Sequence, residues 1–175
     1  YVNNGVTCQG ISNVITITVN TVTSGTISGP QTLCQGGDPT ILSVVNNPNG
    51  AGVLSYQWQS STTNLGGSYN NITGQTNTSY DPPALNTNTW YQLISSSTLN
   101  GIVCSATTTP ILITIVTLNV GSISTNQTIC VGGDPAAFTS VGATSNNGAS
   151  IGYQWQSSLD NATWTNIVGA TAATY

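Results

Sequence analysis

The chain of 175 residues has no lysine, arginine, histidine, methionine or glutamate. Its charged side chains are four aspartates: Asp38, Asp81, Asp134 and Asp160. Without imidazole, glutamate or lysine, the usual proton shuttles and Schiff-base nucleophiles are missing, so we expect no enzyme activity. Without cations to neutralise phosphates, we also expect no binding to nucleic acid or to an anionic membrane surface.

Long hydrophobic runs are also absent. The most apolar stretch, Pro110 to Val120, is about ten residues long and carries two threonines, whereas a bilayer-spanning helix needs roughly 20 apolar residues. We therefore predict no membrane insertion. Hydrophobic residues still make up 38% of the chain, which is enough to build a core.

The strongest positive signal is an internal repeat. Residues 25–39 read GTISGPQTLCQGGDP, and residues 121–135, which lie 96 positions later, read GSISTNQTICVGGDP. The block YQWQSS at 56–61 recurs at 153–158. A period near 96 fits one β-sandwich domain per repeat. We predict the C-terminal part of a repeat at 1–19, a complete repeat at 20–115 and the N-terminal part of the next at 116–175, as a window on a longer linear array.

Apolar and polar residues alternate along much of the chain, as in Ile15-Thr-Ile-Thr-Val19, and no segment has a helical period. The fold class is therefore predicted to be all-β, with a sandwich of two antiparallel sheets in each repeat. Asn49-Gly50 and Asn100-Gly101 predict tight hairpins. Strands are expected near residues 21–27, 31–33, 40–45, 53–60, 69–72, 78–80, 89–96 and 108–116.

The junction between repeats, Pro110 to Ile123, has no Gly/Ser-rich or Pro-rich linker. We expect the last strand of one domain to run directly into the first strand of the next. This would limit bending and give a semi-rigid rod, with a domain length of roughly 40 Å at ~3.3 Å per residue.

Each complete repeat carries two cysteines. The simplest prediction is one disulfide per repeat, Cys34 with Cys104, while Cys8 and Cys130 would pair with cysteines outside this segment. A disulfide would indicate an oxidising, extracellular location. Free buried thiols and zinc ligation are the alternatives. Zinc is disfavoured because neither histidine nor a CxxC motif is present, so we predict no metal or cofactor.

Aromatic residues suggest both a core and a surface role. Within each YQWQ block, the two aromatic side chains share one face of a strand, the usual arrangement of core anchors. These predicted anchors are Tyr56, Trp58, Tyr153 and Trp155. An exposed tryptophan can instead stack on a sugar, and the candidate ligand contacts are Trp90 and Trp164. The aspartates all occupy turn contexts, where their side chains cap backbone amides.

The combination of CxGGDP, YQWQSS and the final block WTNIVGATAATY resembles the Ig-like repeats of giant cell-surface adhesins of the Bacteroidota, with the SprB-type gliding-motility adhesins most similar. The likeness covers essentially the whole chain. Those repeats often have basic residues after the aromatic pair, whereas here the segment 89–94 reads TWYQLI. The resemblance implies a cell-surface filament that is exported by type IX secretion and used in surface attachment and gliding.

Three functions follow as hypotheses. The first is a structural stalk, in which each repeat contacts its neighbours in the same chain. The second is a module that binds extracellular polysaccharide or another substratum. The third is a self-assembling fibre in which exposed strand edges associate laterally, because no lysine protects those edges.

Overall fold

The computed structural model describes residues 2–7, 9–124 and 126–175. Strands and turns dominate these residues, and no helix among them is long and apolar enough to cross a membrane. In the first part of the chain the strands are β1 Val2–Asn3, β2 Val6–Thr7, β3 Val22–Thr23, β4 Thr26–Ile27, β5 Gln31–Cys34, β6 Leu42–Asn46, β7 Asn49–Gly50, β8 Val53–Ser61, β9 Asn70–Asn71 and β10 Ser79–Tyr80. They continue with β11 Thr89–Leu99, β12 Ile102–Thr107, β13 Ile111–Val116, β14 Leu118–Asn119, β15 Ser122–Ile123, β16 Ser140–Val141, β17 Thr144–Ser145, β18 Gln156–Ser157 and β19 Thr165–Asn166, with a 3-10 turn at Asn146–Gly148.

Residues 20–116 form a β-sandwich. One sheet has the order β5-β13-β11-β8-β9, with β12 paired to β11, and the other has the order β10-β6-β4. Every ladder in these sheets is antiparallel except that between β13 and β5, which is parallel. The all-β prediction is therefore confirmed.

The core lies between these two sheets, because alternate residues of each strand face inward. Trp58 of β8 is fully buried, its ring centroid is 5.9 Å from that of Tyr80, and its Nε1 donates to the carbonyl of Asn77 at 3.0 Å. Tyr91 is also buried, and this burial raises the pKa of its phenol to about 12. The buried apolar set consists of Ile27, Leu42, Trp58, Tyr80, Tyr91, Leu93, Ile113 and Ile115.

Two details differ from the sequence expectation. Asn100-Gly101 forms the predicted hairpin, with φ of 50° and 79°, but it leads into β12, a strand that the pattern did not predict. The hairpin predicted at Asn49-Gly50 is wrong, because these residues form β7 and pair with β3 instead. The partner for β7 comes from more than twenty residues earlier in the chain, a distance at which local turn preference carries no information.

Glycine is required where β4 begins. Gly25 has a φ of +68°, and a Cβ built there would overlap the carbonyl oxygen of Asn46. Gly121, 96 residues later, has a φ of +67°, and a Cβ there would overlap the carbonyl oxygen of Val141.

Two side-chain hydrogen-bond arrangements found in residues 20–80 recur in residues 116–175. The Gln31 amide donates to the Thr40 carbonyl at 3.0 Å and accepts from the Thr40 amide at 2.8 Å, and Gln127 makes the same pair with Ala136, both at 2.7 Å. Trp155 Nε1 donates to a carbonyl at 2.9 Å, as Trp58 does. We call residues 20–115 the first unit and residues 116–175 the second unit.

The predicted disulfide is wrong. Cys34 and Cys104 are free thiols, and so is Cys130. The prediction for Cys8 lies outside the described residues.

Register explains why the pair cannot form. Cys34 is aligned with Val116 at the end of β13, whereas Cys104 is aligned with Ser97 on β11. In the β11–β13 register, the position of Val116 along the sheet is about eleven residues from that of Ser97, or roughly 36 Å at ~3.3 Å per residue. A disulfide needs Cα atoms roughly 4.4–6.8 Å apart.

Candidate functional site

The outer face of the larger sheet carries Trp90. Tyr91, the next residue, points into the core, so Trp90 projects from the opposite surface and remains half-buried between its cross-strand partners Leu112 and Ser61. One ring of the Trp90–Tyr91 pair is therefore available at the surface, because adjacent residues of a strand point to opposite faces.

Beside Trp90, three amide side chains form a row across three strands. Gln92 donates to Gln59 at 2.7 Å, and Gln59 donates to Asn71 at 2.8 Å. The register places Gln59 opposite both Gln92 and Asn71. We call Trp90, Gln92, Gln59 and Asn71 the outer-face platform. An aromatic ring next to fixed neutral amides can stack on a sugar ring and hydrogen-bond its hydroxyl groups.

Sequence reasoning did not find this amide row. Gln59 belongs to the YQWQ block, and its alternation with Trp58 indicates that it faces outward. Its partners, however, lie 12 and 33 residues away, so only the sheet register brings them together.

The second candidate contact, Trp164, lies in the second unit and is 52% exposed. It precedes β19 and follows a turn held by Asp160, whose Oδ1 accepts from the amides of Ala162 at 2.9 Å and Thr163 at 2.8 Å. These backbone hydrogen bonds hold the pKa of Asp160 well below its usual range. Trp90 and Trp164 therefore belong to different units.

The predicted anchors behave differently in the two units. Trp58 is fully buried and Tyr56 is half-buried against the core. Tyr153 and Trp155 are only half-buried. Among the described residues of the second unit, no strand takes the place of β11 or β13, so its aromatic face is covered on one side only.

At the junction between the units, asparagine side chains hydrogen-bond to backbone groups of residues 115–117. From the first unit, Asn88 Oδ1 accepts from the Ile115 amide at 2.7 Å. From the second unit, Asn146 Oδ1 accepts from the Thr117 amide at 2.7 Å and Asn146 Nδ2 donates to the Ile115 carbonyl at 3.0 Å. Residues 115–117 are therefore held from both sides without a flexible linker.

In the part of the chain that the structure describes, no three His, Cys, Asp or Glu residues come together. An open cleft of about 520 Å³ beside the junction is lined by neutral groups, including Asn86, Asn88 and Asn146.

Fold and surface thus define an all-β protein with a neutral outer face and a hydrogen-bonded junction at residues 115–117. The chain belongs to a family described as a domain of unknown function, DUF8696, whose profile matches residues 23–117 and again residues 119–175. The two matches begin 96 residues apart, the same spacing as the sequence repeat. No curated protein and no solved structure matches the chain.

Proposed function

We propose that the chain consists of tandem Ig-like stalk repeats from a long extracellular adhesin filament used in surface attachment and gliding motility. The observation that carries this proposal is the junction, where β13 continues through Thr117 into β14 without a linker. A stalk has to transmit load along its axis, and a strand shared by consecutive domains does so without a hinge.

The hydrogen bonds at the junction support the same proposal. Besides the contacts of Asn88 and Asn146, the Gln35 amide donates to the Val116 carbonyl at 2.9 Å and the Asn146 amide donates to the Thr117 carbonyl at 3.2 Å. Bending at residues 115–117 would break several of these bonds together, each worth about 0.5–1.5 kcal/mol.

The nearly uncharged composition suits an extracellular stalk. Because screening acts on charges, a chain whose charged side chains are four aspartates should keep its shape across a wide range of salt concentrations. The chain also offers trypsin no lysine or arginine at which to cleave.

Rigidity is tested with Asn146→Ala, which removes the bonds from its side chain to residues 115 and 117. We expect small-angle scattering to show one extended shape for the native chain and a broader range of interunit distances for the variant. The control is Asn126→Ala, at an exposed asparagine of the same unit. If the native chain already bends as freely as Asn146→Ala, it is not a semi-rigid stalk.

Location is tested by immuno-electron microscopy of the producing cells, with antibodies raised against the first unit. Label spaced along filaments outside the cell is expected. Label confined to the cell interior would refute the proposal.

A polysaccharide-binding module is the second candidate, and the outer-face platform is the observation that favours it. Trp90→Ala and Gln59→Ala should each reduce binding on a glycan array at least tenfold, whereas Thr107→Ala, an exposed position on the same face, should not. If the native chain binds no glycan, this candidate falls while the stalk proposal stands.

A further inference from the structure

The outer-face platform lies wholly within the first unit. Its side chains belong to β11, β8 and β9, and the strands on the other flank of β11 are β12 and β13. All five strands lie within residues 53–116, so the part of the sheet that carries the platform is complete. The direction of the hydrogen bonds in its amide row restricts which ligand the platform can take.

The hydrogen bonds of the amide row all run the same way. Gln92 Nε2 donates to Gln59 Oε1 at 2.7 Å, and Gln59 Nε2 donates in turn to Asn71 Oδ1 at 2.8 Å. The row therefore ends in an acceptor on β11, the Gln92 Oε1 oxygen, and in a donor on β9, the Asn71 Nδ2 amino group. Among the residues that the structure describes, no protein group bonds to either of these two atoms.

The spacing of these ends sets a minimum size for the ligand. Strands β11, β8 and β9 are consecutive in the sheet, and neighbouring strands lie about 4.8 Å apart, so the two ends of the row are separated by roughly 10 Å. Trp90 precedes Gln92 on β11 by roughly 7 Å at ~3.3 Å per residue. A sugar ring that stacks on Trp90 can reach Gln92, but only a later ring of the same chain can reach Asn71.

The surroundings of the platform are uncharged. Farther along the same face of β11 lie Ile94 and Ser96, and the Ser96 hydroxyl is 2.8 Å from that of Ser105. The chain has no lysine, arginine or histidine that could pair with a carboxylate or sulfate group, and its net charge is −4. An anionic ligand would therefore lose hydration at the platform without gaining an ion pair.

We propose that the platform binds a linear, uncharged polysaccharide that crosses β11, β8 and β9, with one sugar ring on Trp90 and a later ring at Asn71. At the β11 end, a sugar hydroxyl donates to Gln92 Oε1. At the β9 end, a hydroxyl, ring or glycosidic oxygen accepts from Asn71 Nδ2. Because the two ends have opposite hydrogen-bonding roles, the row favours one orientation of the sugar chain.

The row is formed before any ligand binds. Gln92 and Gln59 are already held by their hydrogen bonds, so they lose little side-chain freedom on binding. Amides linked in series also polarise one another, which strengthens the acceptor and the donor at the two ends. This inference deepens the second candidate function and rests on it, whereas the stalk proposal is independent of both.

Surface plasmon resonance with the full chain tests the class of ligand. The probes are linear 1,4-linked glucan, mannan and galactan, each paired with a C6-oxidised form in which the same backbone carries carboxylates. We expect at least one neutral chain to bind and its oxidised form to bind at least about tenfold more weakly. In a series from monosaccharide to hexasaccharide, affinity should rise steeply up to the length that spans Trp90 and Asn71 and only slightly beyond it.

Asn71→Asp tests the donor end of the row. The carboxylate can still accept from Gln59 Nε2, but it offers the ligand no N–H and adds a charge, so affinity should fall about tenfold or more. The matched control, Asn70→Asp, adds the same charge at the neighbouring position of β9, whose side chain points to the opposite face, and should change affinity less than about threefold. Both asparagines are exposed, and circular dichroism checks that both variants keep the fold.

The outcomes separate this inference from the candidate function. A chain that binds none of the glycans refutes both. Three results would overturn the inference and leave a glycan-binding module in place: equally strong binding of the oxidised chains, no gain in affinity from monosaccharide to trisaccharide, or equal losses in Asn71→Asp and Asn70→Asp.

Discussion

Replacing Trp58 by alanine should strongly destabilise the first unit. Trp58 is fully buried, stacks against Tyr80 and faces Leu93 across the β8–β11 ladder. Removing a core tryptophan costs about 3–5 kcal/mol. The carbonyl of Asn77 also loses its donor, which adds about 1 kcal/mol. The sum of about 4–6 kcal/mol is a large part of the roughly 5–15 kcal/mol that stabilises a domain.

The second unit provides an internal control. Trp155 donates the same type of hydrogen bond, to the carbonyl of Ala172 at 2.9 Å, but its ring is half-exposed. Trp155→Ala therefore removes less apolar surface from water and should cost about 1–2 kcal/mol. The difference between the two variants measures what β11 and β13, which have no counterpart among the described residues of the second unit, contribute to burying the ring.

The assay is urea unfolding followed by far-UV circular dichroism, with hydrogen exchange at Leu93 as a local measure of the first unit. We expect Trp58→Ala to lower the unfolding midpoint strongly and to abolish protection at Leu93, and Trp155→Ala to leave that protection intact. Equal losses from both variants, or a loss below about 2 kcal/mol for Trp58→Ala, would refute the sandwich core described here.

Three further predictions follow. Gly25→Ala should destabilise the first unit by roughly 1–3 kcal/mol in thermal unfolding, since it combines a positive φ with overlap of a facing carbonyl; an unchanged melting temperature would contradict this. Reducing agent should leave that melting temperature unchanged because Cys34 and Cys104 are free thiols. A drop of several degrees on reduction would instead show that a disulfide is present. Because the folded pKa of Asp160 lies below the usual 3.8, its stabilising hydrogen bonds are fully formed above that pH and are lost as the pH falls through the lowered pKa. The NMR signal of the Thr163 amide should therefore titrate well below pH 3.8 and become insensitive to acid in Asp160→Asn; a midpoint near 3.8 would disprove the cap.

Part of the candidate site could be read from alternation alone. In the YQWQ block, alternate side chains of a strand point to opposite faces, so Trp58 and Gln59 must lie on opposite surfaces wherever the strand goes. The same rule separates Trp90 from Tyr91. What it leaves undecided is which of the two faces is the buried one, since that depends on where the second sheet packs.

Pairing between strands that are distant along the chain could not be predicted from the sequence. The amide row of Gln92, Gln59 and Asn71 exists because three strands align in one register. The strand β12 was implied by the Asn100-Gly101 hairpin, since a hairpin needs a strand on each side, but the alternation in 102–107 is weak. The misplaced hairpin at Asn49-Gly50 has the same origin, because a turn preference is local and β7 takes its partner from β3.

Composition alone indicated the nearly uncharged character of the chain, comparison of the chain with itself indicated the 96-residue spacing, and the alternation of apolar and polar residues indicated the all-β class. Only the tertiary structure decided which strands are neighbours and in which register. That decision placed Cys34 and Cys104 at opposite ends of a sheet and built the outer-face platform. Register arises from the packing of whole sheets against one another, and no short stretch of residues encodes it.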